Sequence, residues 1–184
     1  KMPHFIRYIP AYHGVRARVM NGHWHAAEAG NIELRFKVRG LQDAHIAFCS
    51  ENNYVPDLAY ELRIGTNNNR KTEFFKGAKS AAPLWSANLD TGGNPLAVLK
   101  GGKQQGAADG KEWNEFWITL KASKTTVGAD IVTMQYGRGM VLGKEVLGEC
   151  VDDKTPLAAV KHIGFGGDTG IIEYDAIQIN ESDS

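Results

Sequence analysis

Residues Ile32-Glu33-Leu34-Arg35-Phe36-Lys37-Val38-Arg39 alternate apolar and charged without a break. An extended backbone turns successive side chains to opposite sides. Ile32, Leu34, Phe36 and Val38 therefore share one face, and Glu33, Arg35, Lys37 and Arg39 share the other. This period reads as a half-buried antiparallel strand, whose apolar face another layer must cover.

The same period recurs. Ala44–Ser50 carries Ala44, Ile46 and Phe48 on one face, and Tyr60–Ile64 repeats the alternation. Val15–Met20, Lys71–Lys76, Phe116–Leu120, Thr125–Val127, Ile131–Tyr136, Met140–Leu147, Val160–Phe165 and Ile171–Ile179 follow as candidate strands. Glycines split several of them, as turns and bulges demand. The longest loop is expected over Lys100–Lys111. No segment shows an apolar stripe of helical period over three turns. So many short strands predict an all-β, two-sheet antiparallel β-sandwich, jelly-roll-like, with under a tenth of its residues in helix. Its core is expected to hold Ile32, Leu34, Phe36, Val38, Ile46, Phe48, Leu62, Ile64, Ile118, Leu120, Ile163 and Phe165.

A length of 184 residues fits one domain spanning 1–184, with no internal repeat or low-complexity stretch. Lys+Arg and Asp+Glu both number 21. That balance argues against a nucleic-acid partner, which calls for a basic surplus. No apolar run is long enough for a helical membrane span. The chain opens on Lys1, which points to a removed leader or a trimmed start. Cys49 and Cys150 form an even pair, read either as a bridge in a secreted protein or as two buried thiols. Asn180-Glu181-Ser182 is a glycosylation sequon. Secretion is the expected localisation and a Cys49–Cys150 disulfide the expected pairing. Closing a loop of about a hundred residues would stabilise by up to ~4–5 kcal/mol.

The chemistry-bearing residues do not assemble an enzyme. Gly164–Gly170 follows a strand but precedes Ile171-Ile172-Glu173-Tyr174, so it reads as a hairpin turn and not a cofactor loop. His4, His13, His23 and His25 lie early, and His23 and His25 would share a strand face. No cysteine or acidic ligand stands at a diagnostic spacing from them, so no metal is expected. No nucleophile elbow is present. Asp152 and Asp153 are adjacent and point apart in an extended segment, unsuited to paired acid–base work. Trp24, Trp85, Trp113 and Trp117 are candidates for a sugar-stacking platform, against the alternative that they fill the core. Asn67, Asn68, Asn69 and Arg70 form a polar turn rich in donors and acceptors, as does Lys103-Gln104-Gln105. His45, Glu61 and Arg63 alternate away from the core and offer a second surface, unless that face is merely a solvated outer sheet.

Several blocks coincide in order: Asp43-Ala44-His45-Ile46-Ala47, Tyr60-Glu61-Leu62-Arg63-Ile64-Gly65, Phe116-Trp117-Ile118 with Val127-Gly128, and Ile163-Gly164-Phe165. Together, over about residues 30–179, they resemble the domain named after farnesoic acid O-methyltransferase in invertebrate proteins. The resemblance implies a sandwich fold. It also implies the company of lectin-like modules in secreted proteins, and, by its name, methyl transfer to a sesquiterpenoid acid.

The functional expectation is a non-catalytic extracellular recognition module, without cofactor, that takes a glycan or small-molecule ligand. Its candidate contacts are His45, Glu61, Arg63, Asn67, Asn68, Asn69, Arg70 and Trp24. One alternative is a carrier holding an apolar molecule such as an isoprenoid between the sheets. Another is the methyltransferase of the family name.

Overall fold

A computed structural model describes residues 4–6, 30–40, 44–50, 56–66, 71–76, 82–88, 98–100, 103–105, 112–157, 162–167 and 172–183. Val15–Met20, Trp24, Asn67–Arg70, His13, His23 and His25 lie outside them. The strands are β1 (His4–Ile6), β2 (Gly30–Arg39), β3 (Ala44–Cys49), β4 (Ala59–Gly65), β5 (Lys71–Lys76), β6 (Trp85–Asn88), β7 (Val98–Lys100), β8 (Lys103–Gln105), β9 (Asn114–Lys124), β10 (Asp130–Arg138), β11 (Val146–Asp152), β12 (His162–Gly167) and β13 (Glu173–Asp183). Helix is confined, among the described residues, to a 3₁₀ turn at Pro56–Leu58 and to Thr66. Among the described residues no helix is long and apolar enough to cross a membrane.

One sheet runs β1-β12-β3-β4-β5-β6 and the other β11-β10-β9-β2-β13, with every neighbouring pair antiparallel. The chain crosses from β2 to β3 and returns from β12 to β13, so β12 lies beside β3 and β13 beside β2. That nested pairing is the wound hairpin of a jelly roll. The strands between run as two meanders, β3 to β6 and β9 to β11.

The alternation read in the sequence holds. All twelve expected core residues are buried. They join Tyr60, Phe74, Phe116, Met134, Tyr136 and Tyr174 in one cluster between the sheets. Two groups of rings bind the layers together. Phe36 lies 6.3 Å from Phe165, which lies 5.2 Å from Tyr174. Tyr136 lies 5.7 Å from Phe74 and 5.6 Å from Trp85. Such tilted and edge-on pairs add to the stabilisation that burial supplies.

Four local expectations are overturned. Thr125–Val127 is the turn of the β9–β10 hairpin, not a strand. Thr125 N donates to Ala129 O at 2.8 Å, and Gly128 sits at φ 81°. Within Met140–Leu147, the strand begins only at Val146; the preceding residues form a loop with Gly143 at φ 77°. The left-handed conformation of both glycines suits turns and not strands. The hairpin turn expected at Gly164–Gly170 is overturned over its described part, because Gly164, Gly166 and Gly167 lie in β12 while β13 joins the other sheet. Finally, Lys100–Lys111 is not all loop: Lys103–Gln105 pairs with Val98–Lys100.

The expected disulfide is also absent: Cys49 and Cys150 are buried thiols. Cys49 belongs with Ala47 and Ala59 on the outward side of the six-stranded sheet, whereas Cys150 points into the core from the five-stranded one. The core layer separates them, and bridging needs Cβ atoms about 3.5–4.5 Å apart.

Candidate functional site

In β3 and β4 the residues between the core positions are His45, Ala47 and Cys49, and Ala59, Glu61 and Arg63. All stand on the outward face of the six-stranded sheet. The ladder pairs His45 with Arg63 and Ala47 with Glu61, which puts His45 and Glu61 on a diagonal. His45 Nδ1 approaches Glu61 Oε1 to 3.0 Å. Arg63 Nε donates to the same oxygen at 2.7 Å, and its Nη2 donates to Oε2 at 3.3 Å. The guanidinium lies 4.2 Å from the centre of the Phe75 ring in β5.

This face is not a solvated outer sheet. The His45 and Glu61 side chains are each 4% exposed, whereas Arg63 is 25% exposed. Solvent thus reaches Arg63 but hardly His45 and Glu61, its neighbours on the same face. Burial pushes the Glu61 carboxyl up, but His45 and Arg63 beside its oxygens outweigh it and hold the group below its ordinary range. Both carboxylate oxygens are engaged, so Glu61 is suited to orienting its neighbours. Phe75 is half-buried beside Lys71 and Glu73, and Thr66 Oγ1 donates to Glu73 at 2.7 Å.

Below this face, Tyr174 of β13 reaches through the core. Its hydroxyl donates to the carbonyls of His45 and Gly166, the latter in a very short contact. These two residues are themselves ladder partners. The five-stranded sheet thus buttresses the strand that carries His45.

Two further polar groups escaped the sequence reading. Tyr60 donates to Asp152 Oδ2 at 2.7 Å and accepts from Leu157 N at 2.9 Å. Lys76 Nζ lies 2.6 Å from the same Asp152 oxygen. Burial and the Asp152 hydrogen bond push the Tyr60 phenol well above its usual range. Asp153, the neighbour of Asp152, is exposed, so the two carboxyls do point apart. Elsewhere, Arg39 makes a two-pronged pair with Glu173 at 3.0 and 3.1 Å while its guanidinium stands 4.5 Å from the Trp113 ring.

Trp24 lies outside the described residues, and Trp85, Trp113 and Trp117 do not gather into a platform. Trp85 packs on the core, and Trp117 is buried outside it beneath the Gly139–Glu145 loop. There its Nε1 donates to Lys144 O at 2.8 Å. Phe75 was the legible signal that went unused: within Lys71–Lys76 it is the aromatic residue falling on the polar row. Among the described residues no cluster of three or more His, Cys, Asp or Glu could hold a metal.

A family model described as farnesoic acid O-methyl transferase matches residues 12–174. The chain belongs to this family. No curated protein matches the chain. The farnesoic acid O-methyltransferase match begins earlier than the resemblance near residue 30 and takes in His45, Glu61, Arg63 and Phe75. A methyl donor of the S-adenosylmethionine kind needs a glycine-rich cradle with approachable backbone. In this member of the family Gly164 and Gly166 are buried in β12, between β1 and β3, and pair with Ala47 and His45. Those glycines do not fit that group.

Proposed function

We propose that this domain is a non-catalytic extracellular recognition module that binds a glycan or similar polar ligand on the outer face of its six-stranded sheet. The observation that carries the reading is Arg63, held over Phe75 and tied by two hydrogen bonds to the buried Glu61. A cation so fixed loses little rotamer freedom on meeting hydroxyl or carboxylate groups, and preorganisation of this kind favours affinity. Glu61 is engaged and Arg63 reaches solvent, an arrangement that suits holding a ligand more than moving a proton. The sequon at Asn180 and the lectin-like company that the resemblance implies support the extracellular placement.

The carrier reading meets the ring contacts between the sheets, where Phe36, Phe165, Tyr174, Phe74, Trp85 and Tyr136 already pack on one another. The family's name keeps a methyltransferase as the competing reading. A glycan array on purified protein, followed by titration of its best hit, tests the proposal. Arg63→Ala and Phe75→Ala are each expected to weaken binding at least about tenfold, or ~1.4 kcal/mol. An empty array together with methyl transfer from S-adenosylmethionine to farnesoic acid would overturn it.

A further inference from the structure

We propose that two copies of this chain pair edge to edge through β11, antiparallel about a twofold axis, with Glu149 of each copy facing Val151 of the other. β11 ends the five-stranded sheet among the described residues. Beyond its ladder with β10, the backbone of Val146–Asp152 makes no hydrogen bond. Such a row of N–H and C=O groups is a template for another strand, and proteins that keep an edge unpaired blunt it with lysine, proline, bulges or cover. Val146-Leu147-Gly148-Glu149-Cys150-Val151-Asp152 holds neither lysine nor proline. Its bulge lies at the start, opposite Tyr136 and Gly137, and from Gly148 to Asp152 the ladder is regular. Val146 and Val151 are each 48% exposed, so side chains at both ends of the strand reach solvent.

The occupant follows from the charges of the strand itself. Cys150 points into the core, and Glu149 and Val151 point outward. A twofold axis perpendicular to the sheet must keep core row beside core row, so it passes through a residue position. Centred on Glu149, the axis sets that carboxylate against its own copy. Centred on Val151, it sets Glu149 twice against Asp153, the exposed residue that follows the strand. Centred on Cys150, it sets Glu149 twice against Val151, and no like charges oppose each other. Directly opposed like charges destabilise a strand pair, which selects the register centred on Cys150. In that register β11 is self-complementary, as the isologous interface of a dimer requires.

Sedimentation equilibrium on the full chain, over a concentration series, is expected to show monomer and dimer in exchange. Val151→Glu sets carboxylates against each other twice and should weaken dimerisation about tenfold. Adding Glu149→Lys should restore it, an outcome that a misfolded variant cannot give. In a Cys150→Ala background, mild oxidation should link Glu149→Cys protein to Val151→Cys protein when the two are mixed, and neither to itself. A wild type that stays monomeric throughout the series leaves the edge to a different protein and overturns the proposal. So does a charge reversal that fails to restore pairing, or linkage within either variant alone. None of these readouts involves Arg63 or a glycan, so a failure here is separable from a failure of the binding proposal.

Discussion

The indole of Trp117 lies against Gly137, its ladder partner, so closely that a Cβ on Gly137 would stand 2.5 Å from three ring atoms. The same ring carries the Gly139–Glu145 loop. Trp117 donates to Lys144 O, Arg35 Nε donates to Met140 O at 3.0 Å, and Gly139 N donates to Glu115 O at 2.8 Å. Gly137→Ala is expected to lower unfolding free energy by about 1–3 kcal/mol, as overpacking does. A urea titration measures it, and an unchanged midpoint would show that the ring moves aside at no cost.

Tyr60 links the six-stranded sheet to Asp152 at the end of β11. Tyr60→Phe removes one donor from a buried carboxylate and the acceptor of Leu157 N. The expected loss is about 1–3 kcal/mol, because buried polar partners are left unpaired. A double-mutant cycle with Lys76→Met checks the network: coupling beyond about 0.5 kcal/mol is expected, and strict additivity would show that the two side chains act independently on Asp152.

Acid sensitivity follows from two carboxyls. Burial acts to raise both, but partner hydrogen bonds outweigh it, so the folded Asp152 and Glu61 lie below their ordinary values of 3.8 and 4.5. Each binds its proton less readily in the folded chain than in the unfolded one. Their contribution is therefore full above those ordinary values and is lost as pH falls through the lower folded values. Stability should drop on acidification below about pH 4.5, and Glu61→Gln should flatten that limb while lowering stability at neutral pH. Denaturant midpoints across the pH series decide it; parallel limbs for both proteins would remove Glu61 from the account.

Because no bridge joins Cys49 and Cys150, reductant should leave the thermal midpoint unchanged. Burial pushes the Cys150 thiol up to about 12, which keeps it in the unreactive protonated form near neutral pH. A thiol reagent is expected to label both cysteines promptly in denaturant and slowly in the native protein. A reductant-dependent midpoint, or mass spectrometry showing a linked Cys49–Cys150 peptide, would contradict this.

Which side of each strand enters the core was legible in the sequence. Ile32 to Val38, Ile46, Phe48, Leu62 and Ile64 are buried as their alternation requires, and Lys71–Lys76 forms a strand with the expected ends. That information is local, because an extended backbone alternates its side chains wherever the strand later docks. The face of His45, Glu61 and Arg63 was legible for the same reason, but its burial was not. Alternation separates two faces without saying what lies against either one. The cysteines failed at the next level. Their even count suggested a bridge, whereas the assignment of β3 and β11 to different sheets, facing in opposite senses, forbids it. The loop over Trp117 was misread because Met140, Val141 and Leu142 have the composition of a strand, while Gly143 and the contacts to Arg35 and Trp117 turn the chain back. Those contacts join residues far apart in the sequence, so only the paired and stacked sheets could decide them.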